Sequence, residues 1–449
     1  MRLTTAFRRL LDLSGVWVRH VSFEPDRIVV RVALRRRALQ CPRCSYCTRN
    51  RENKQQHASV WRHLDLGTWR LEIHANLRRL RCPEHGVLVE GVPFARYGAR
   101  FTRDFEDLVA WLATRTDKTA ICRLVRIDWQ TVGRIIERVG DELLDEGRLE
   151  DLFEISIDEV AWRKGHRYLT LVGDHRRRAV VWGTEGKGQA AADEFFQDLD
   201  PPDTLEEAED TVESQEIQAQ PPEEQAEQKI GERASKLVAI SMDMGPGYAK
   251  SARKHAPQAA ICIDNFHVVQ LATKALDEVR REHWNELRST GESEAAKSFK
   301  DARFSVLKNP EDLTERQIET LAALHAAGGK LPRAYALKEM VRAIFAQGLS
   351  EHTVAELIDR LLSRLSRSRL DSFVRLGRTI RKHREGILSA RRLKLSNARA
   401  EALNNKVKLI VRRAYGFHSA NAALALIHLT CGPVTLTLPH ERVATSLQM

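Results

Sequence analysis

Two acids, Asp158 and Asp264, each close a short apolar run: Ile155-Ser-Ile-Asp158-Glu159 and Cys262-Ile-Asp264-Asn-Phe-His267. If the first run is a strand, alternation puts Ile155 and Ile157 on one face and Ser156 and Asp158 on the other. A carboxylate at the end of a buried strand is costly unless something binds it. Divalent cations that prefer hard oxygen ligands, Mg2+ or Mn2+, meet that need. A pair of them can clamp the attacking and leaving oxygens of an in-line phosphoryl displacement. A second group suits a softer ion. Cys41-Pro-Arg-Cys44 and Cys82-Pro-Glu-His85 repeat one spacing, with 37 residues between the two knuckles. Three thiolates and an imidazole make a closed, structural Zn2+ site with no position left for water. Cys47 competes as a ligand, and His57 and His63 compete more weakly. The remaining cysteines, Cys122, Cys262 and Cys431, are scattered and read as small buried apolar residues. Clustered spacing and an odd total of seven argue against a disulfide framework.

The elements that must position these groups can be read from periodicity. Residues 1 to about 95 are strand-rich, with alternation over 16–23, 27–34 and 69–80. Residues from about 100 to 148 are helical. Two short helices, 118–124 and 130–139, flank a joint at 125–129 and have the pattern of a helix-turn-helix. Val132, Ile135, Ile136 and Val139 form the apolar face of the second helix. Gln130, Thr131 and Arg134 lie towards its other face near the N-terminus, where such motifs reach base edges. An amphipathic helix pair packed internally gives the same pattern.

Three short strands follow at 153–157, 167–172 and 179–182, and a helix starts near Ala190. A strand at 237–242, a helix at 247–255 and a strand at 259–263 come next. From Val268 to about Leu393 the pattern is helical and basic. The last helix, 398–413, has Leu403, Val407 and Ile410 on one face, while Asn397, Glu401, Asn404 and Lys408 recur on another. Two amides beside one acid, followed by Lys406, Lys408, Arg412 and Arg413, favour phosphate and metal contact over simple solubility. Other acids compete for the metal role. Asp243 also ends a strand before a helix, Glu159 could cap a turn, and Asp174 reads as a turn acid beside His175.

The net charge of +11 is unevenly spread. Residues 193–233 hold 15 acids against Lys229 and Arg233, a net of −13, so the rest of the chain carries +24. A basic body suits a polyanionic partner, because each phosphate contact releases counterions. The acidic stretch is rich in Glu, Gln and Pro and poor in apolar residues, so it is expected to be disordered or loosely helical. No apolar run is long enough to span a membrane, since the best candidate, 420–438, is broken by Asn421, His428, Gly432 and Pro433. Arg8 and Arg9 interrupt the first residues where a signal peptide needs an apolar core. A cytoplasmic protein is expected.

Together these motifs resemble the ISL-three family of bacterial insertion-sequence transposases. The stretches that carry the likeness are Cys82-Pro-Glu-His-Gly, Val92-Pro-Phe-Ala-Arg, Ile157-Asp-Glu, Lys164-Gly-His-Arg-Tyr-Leu-Thr, Asp243-Met with Tyr248, Cys262-Ile-Asp-Asn-Phe-His-Val, Glu401-Ala-Leu-Asn-Asn-Lys and Ala414-Tyr-Gly-Phe. The resemblance implies a multidomain α/β chain. Residues 1–97 would be a zinc-bound β-rich DNA-binding domain and 98–149 a helix-turn-helix. Residues 150–268 and 394–432 would form an RNase H-like mixed sheet with helices, interrupted by the acidic insertion at 198–232. Residues 269–393 would be an all-helical insertion. It further implies that Asp158, Asp264 and Glu401 are the catalytic, Mg2+-binding acids; the place of Glu401 rests mainly on this likeness. Asp243, His267 and Asn404 are possible additional site residues.

The implied activity is binding of terminal inverted repeats, phosphodiester cleavage and strand transfer. Gln130, Thr131, Arg134, Lys406 and Lys408 would contact double-stranded DNA, both transposon ends and target. Joining two ends calls for a homodimer or larger homo-oligomer on DNA, in the bacterial nucleoid and with no membrane partner. Two rival readings use the same features: an inactive transposase-derived DNA-binding regulator, and an RNase H-fold nuclease or resolvase that cuts without joining. Asn265 departs from the Pro or Arg common at its position, and the acidic stretch is longer than usual.

Overall fold

In the strand that carries Asp158, residues 154–158 alternate between a buried and a half-exposed face. Ile155 and Ile157 are fully buried, while Ser156 and Asp158 on the opposite face are half-exposed. The computed structural model describes residues 1–201, 231–263, 265–291, 302–345, 349–393, 395 and 397–446. The chain divides into two compact units, residues 1–148 with 406–449, and residues 149–405.

The first unit opens with helix α1 (Leu3–Leu11), in a region the sequence marked as strand-rich. Strands β1 (Val16–Phe23), β2 (Arg27–Leu34), β5 (His57–Leu66) and β6 (Trp69–Leu77) form one sheet in the order β1-β2-β6-β5. Its inner face buries Val16, Ile28, Val30, Leu71, Ile73 and Trp61. Two minimal hairpins sit beside it, β3 (Leu39–Gln40) with β4 (Cys47–Thr48), and β7 (Arg79–Cys82) with β8 (Gly86–Val89). Helices α2 (Arg103–Arg115), α3 (Lys118–Val125) and α4 (Trp129–Leu143) follow. The side chain of Asp117 accepts from Ala120 N at 3.0 Å and that of Asp128 from Thr131 N at 2.8 Å, so each helix start is capped by an acid. Arg126, at φ 54°, makes the left-handed turn between the two helices. Val132, Ile135, Ile136 and Val139 are fully buried, which gives α4 the apolar face expected of it. The helices Ala420–Cys431 and Pro439–Ser446 complete the unit.

The second unit holds β9 (Glu154–Arg163), β10 (Arg167–Asp174), β11 (Ala179–Glu185), β12 (Ala239–Met242) and β13 (Ala260–Ile263) in the order β11-β10-β9-β12-β13. The first three are antiparallel, and β12 runs parallel to both β9 and β13. This is the mixed sheet of an RNase H-like fold. Helices α5 (Gln189–Leu199) and α7 (Pro246–His255), with the short α6 (Glu232–Ser235) between them in sequence, cover one face through Phe195, Phe196, Tyr248 and Ala252. Helix α8 (Asn265–Ser289) leaves the sheet and packs with Lys330–Ile344, Glu351–Ser366 and Asp371–Lys382 around Leu276, Val341, Leu365 and Phe373. The helical character expected after Val268 therefore holds among the described residues. Most of the acidic stretch, residues 202–230, lies outside the described residues.

β9 differs from its sequence reading in length. It does not end at Ile157 but continues to Arg163. Burial alternates over its last four residues, with Val160 and Trp162 buried and Ala161 and Arg163 exposed. β12 pairs with β9 only up to Met242 opposite Ile157, whereas β10 pairs along the whole length. Asp158 therefore stands where the sheet narrows rather than where its strand stops.

Candidate functional site

Across the three parallel strands, Ile157, Met242 and Ile263 stand side by side. In sequence, each of the three is followed by an aspartate: Asp158, Asp243 and Asp264. Asp264 itself lies outside the described residues. The Asp158 carboxylate is held from two directions. Oδ1 accepts from the Glu159 backbone N at 2.7 Å, and Oδ2 accepts from Asn404 Nδ2. Asn404 is on the helix Asn397–Arg413. Glu401 lies one turn earlier in that helix, and its side chain is outside the described residues.

A glycine permits this approach. A Cβ on Gly173 would meet Ser156 Oγ at 2.7 Å and Leu403 Cδ2 at 3.2 Å. The bare backbone of β10 thus lets the turn bearing Leu403 and Asn404 lie close to β9. The donor set suits a hard divalent cation: carboxylate oxygens from Asp158, and an amide oxygen on Asn404 that is not consumed by the Nδ2 bond. Asp243 is turned to local use, because its Oδ1 accepts from Gly245 N at 2.8 Å ahead of α7. His267 is half-buried in the first turn of α8. Asp174 is buried and accepts from Arg176 N at 2.7 Å, as a turn acid should.

One group here escaped the sequence reading. Glu159 does not cap a turn. Its Oε1 accepts from the Tyr248 hydroxyl at 2.8 Å, and that hydroxyl lies 3.0 Å from Thr170 Oγ1. Burial is the main influence raising the Tyr248 phenol well above its ordinary range, so it stays protonated. Parity was the available signal. Glu159 shares the face of Ile155 and Ile157, and an acid in a core-facing row needs a donor.

In the first unit, the ligand atoms of Cys41, Cys44, Cys82 and His85 all lie within 4.8 Å of one another. Cys44 and Cys82 sulfurs are 3.7 Å apart, and His85 Nδ1 is 3.7 Å from Cys82 and 3.9 Å from Cys41. A tetrahedral Zn2+ with bonds of about 2.3 Å holds its sulfurs about 3.8 Å apart, so the cluster has the right size. Burial pushes the Cys82 thiol up, but the backbone N–H and ring of His85, with the Glu84 N–H, outweigh it and bring it down to about 6. The Tyr46 backbone hydrogen bond lowers Cys44, but burial and the thiols of Cys41 and Cys82 outweigh it and push it up to about 11. Cys82 thus forms a thiolate easily while Cys44 resists. Leu39 and Leu80 are fully buried around them. Cys47 is exposed on β4 and outside the cluster. His57 is exposed, and His63 is buried with Nδ1 2.7 Å from Thr102 Oγ1. Cys262 and Cys431 are buried, as expected of apolar cysteines, while Cys122 is half-buried.

The helix-turn-helix residues divide in a similar way. Gln130 and Arg134 are exposed one turn apart on α4, with Arg134 Nη2 donating to Gln130 Oε1 at 3.3 Å. The Thr131 hydroxyl instead donates to the Asp128 carboxylate at 2.5 Å. Lys406 donates to Thr430 O at 2.8 Å, whereas Lys408 is exposed. Among the described residues no helix is long and apolar enough to cross a membrane.

Comparison with known proteins supplies the context. A family model described as "Transposase" matches residues 155–212 and 223–427. A second, described as "Helix-turn-helix domain of transposase family ISL3", matches residues 90–140. The chain is 35% identical over 468 residues to the transposase for insertion sequence element IS1557 of Mycobacterium tuberculosis, covering 98% of each chain. It is 25% identical over 420 residues to the transposase for insertion sequence element IS1001 of Bordetella parapertussis, covering 91% of this chain and 95% of that one.

Proposed function

We propose that this chain, which belongs to the ISL3 family of transposases, binds the terminal inverted repeats of an insertion sequence and catalyses both cleavage and strand transfer at one carboxylate site. Transposases of this family are DNA-cleaving enzymes that use divalent metal. Asp158, Asp264 and Glu401 would hold Mg2+ or Mn2+, which when bound supplies Lewis-acid activation of water or of a 3′-hydroxyl and neutralises charge on the phosphate. The chain's own work is positioning. Asn404 and the Glu159 backbone N–H fix the Asp158 carboxylate in one orientation. The Glu159–Tyr248–Thr170 chain pins β9 to α7 and β10 on the other face. Holding attacking and leaving groups in line is worth several powers of ten in rate for such a displacement.

The observation that carries this reading is the alignment of Ile157, Met242 and Ile263, each followed by an aspartate, with Asn404 donating to the first of the three. Domain roles follow it. Residues 1–97 and 98–149 would recognise the ends through the zinc-held hairpins and through Gln130 and Arg134. Residues 150–268 and 394–432 would do the chemistry, and 269–393 would be the helical insertion. Bringing two ends together would take a homodimer or larger assembly.

The test uses DNA carrying the inverted repeats that flank the gene. Glu401→Gln should lower metal-dependent strand cleavage on the order of 10³-fold, about 4 kcal/mol, while end binding persists. Cleavage that survives the change removes Glu401 from the site. A strand-transfer assay with the unaltered protein separates transposition from simple nuclease action, since hydrolysis with no joined product favours the nuclease.

A further inference from the structure

The sheet of the first unit has a solvent face with a definite order. Register places His20 opposite Arg31, Arg31 opposite His74, and His74 opposite Val60, so one row crosses all four strands. A bulge between Val18 and His20 adds Arg19 to the β1 edge. Next to it, Arg35 stacks 4.3 Å above the exposed ring of Trp17. The acids nearby are already paired. Glu72 is bound by Arg27 at 3.3 Å and His74 at 2.9 Å, and Asp65 by Arg62 at 3.1 Å and Arg126 at 2.5 Å. Arg19, His20 and Arg31 are exposed and have no carboxylate partner among the described residues. The face is therefore a positive surface with its negative charge spent.

This face runs into the helix-turn-helix. Arg62 donates to Arg126 O at 2.9 Å, and Arg126 donates to Thr68 O at 3.1 Å, which fastens the turn between α3 and α4 to the β5–β6 hairpin. A shallow groove there is lined by Val60, Arg62, Glu72, Arg126, Asp128 and Thr131. The row on the sheet thus ends where the N-terminus of α4 begins.

We infer that the outer face of the β1-β2-β6-β5 sheet is a docking surface for the DNA sugar-phosphate backbone, flanking the base pairs read by α4. The inference rests on the reading of α4 as a DNA-recognition helix and adds a second, sequence-independent contact. With strands about 4.8 Å apart, the four-strand row spans about 14 Å, or about four base pairs along a duplex. Arg19 and Arg31 take phosphates, and the Trp17–Arg35 stack forms a wall for the sugar edge.

The experiment uses the full-length, zinc-loaded protein and a random-sequence 24-base-pair duplex, with Kd measured across a salt series. Arg19→Ala/Arg31→Ala should flatten the slope of log Kd against log salt by about two, since each lost phosphate contact removes about 0.9. It should weaken binding at low salt at least tenfold, with zinc content and Tm unchanged. Arg31→Lys should restore one contact. An unchanged slope in the double variant, with Arg134→Ala still lowering it, overturns the sheet surface and leaves the α4 reading standing. An unchanged Arg134→Ala with an altered double variant does the reverse. A double variant that shifts sedimentation equilibrium but not the salt slope assigns the face to a second copy of the chain and also overturns the inference.

Discussion

The cysteine–histidine cluster of the first unit and the carboxylate edge of the second are both groups of candidate ligands, yet they are assembled over very different lengths of chain. Cys41 with Cys44 and Cys82 with His85 are each brought together by a single short turn, and two minimal hairpins carry all four. Asp158 and the helix bearing Asn404 come from separate elements some 250 residues apart, joined by one helix contact. The difference teaches where each site is vulnerable. The first would lean on a bound ion, because Leu39, Leu80 and the few apolar residues around them make a small core for two hairpins. The second depends on packing some distance from its ligands, at Gly173 and at the Tyr248 side of β9.

The largest expected effect sharpens that contrast at the first site. Cys82→Ala, or removal of metal with a strong chelator, should cost on the order of 10 kcal/mol of metal-linked folding energy in the hairpins. Hydrogen exchange should lose its protection there and keep it in β9–β13. Protection that persists in the hairpins after zinc is removed would show a core sufficient by itself.

Next comes Asp158→Asn, which should lower strand cleavage on the order of 10³-fold, about 4 kcal/mol, while Tm stays within a few degrees. A collapse in Tm instead would mean that Asp158 serves the fold rather than the chemistry.

A pH effect of intermediate size comes from His63 in the first unit. Burial drives the His63 ring down from about 6.5 to about 4. The folded chain then binds that proton less readily than the unfolded one, so stability declines as pH falls from 6.5 towards 4 and levels off below. The full loss is about 3 kcal/mol, and His63→Gln should flatten the dependence in denaturant titrations across that window.

The smallest effect probes the packing of the second site. Gly173→Ala should cost about 2 kcal/mol by overpacking against Ser156 and Leu403. It should also reduce cleavage more than its change in Tm accounts for, because the Asn404 turn is displaced from Asp158. Activity and stability falling strictly together would mean that Asn404 does not orient the acid.

Much of this was open to a reader of the sequence alone. The two knuckles, the apolar face of α4 and the alternation through Ile155 and Ile157 are short-range patterns, set by the geometry of a turn, a helix or a strand. Those patterns also marked β10 to β13 of the second unit to within a few residues. The length of β9 was not legible, because the adjacent acids Asp158 and Glu159 break the alternation that marked Ile155 and Ile157. The partnership of Glu159 with Tyr248 was hidden for a related reason. The two residues are 89 apart, and no local rule links them.

The sequence by itself determined which residues could be ligands and which faces had to be buried, since composition and period constrain both directly. Only the tertiary structure decided that Ile157, Met242 and Ile263 stand level, that Asn404 and not Asp243 reaches Asp158, and that Thr131 and Lys406 are committed to hydrogen bonds within the protein. Pairing register and helix docking are settled by contacts between distant segments. A one-residue slip in either leaves every local pattern intact while moving each side chain to another neighbour.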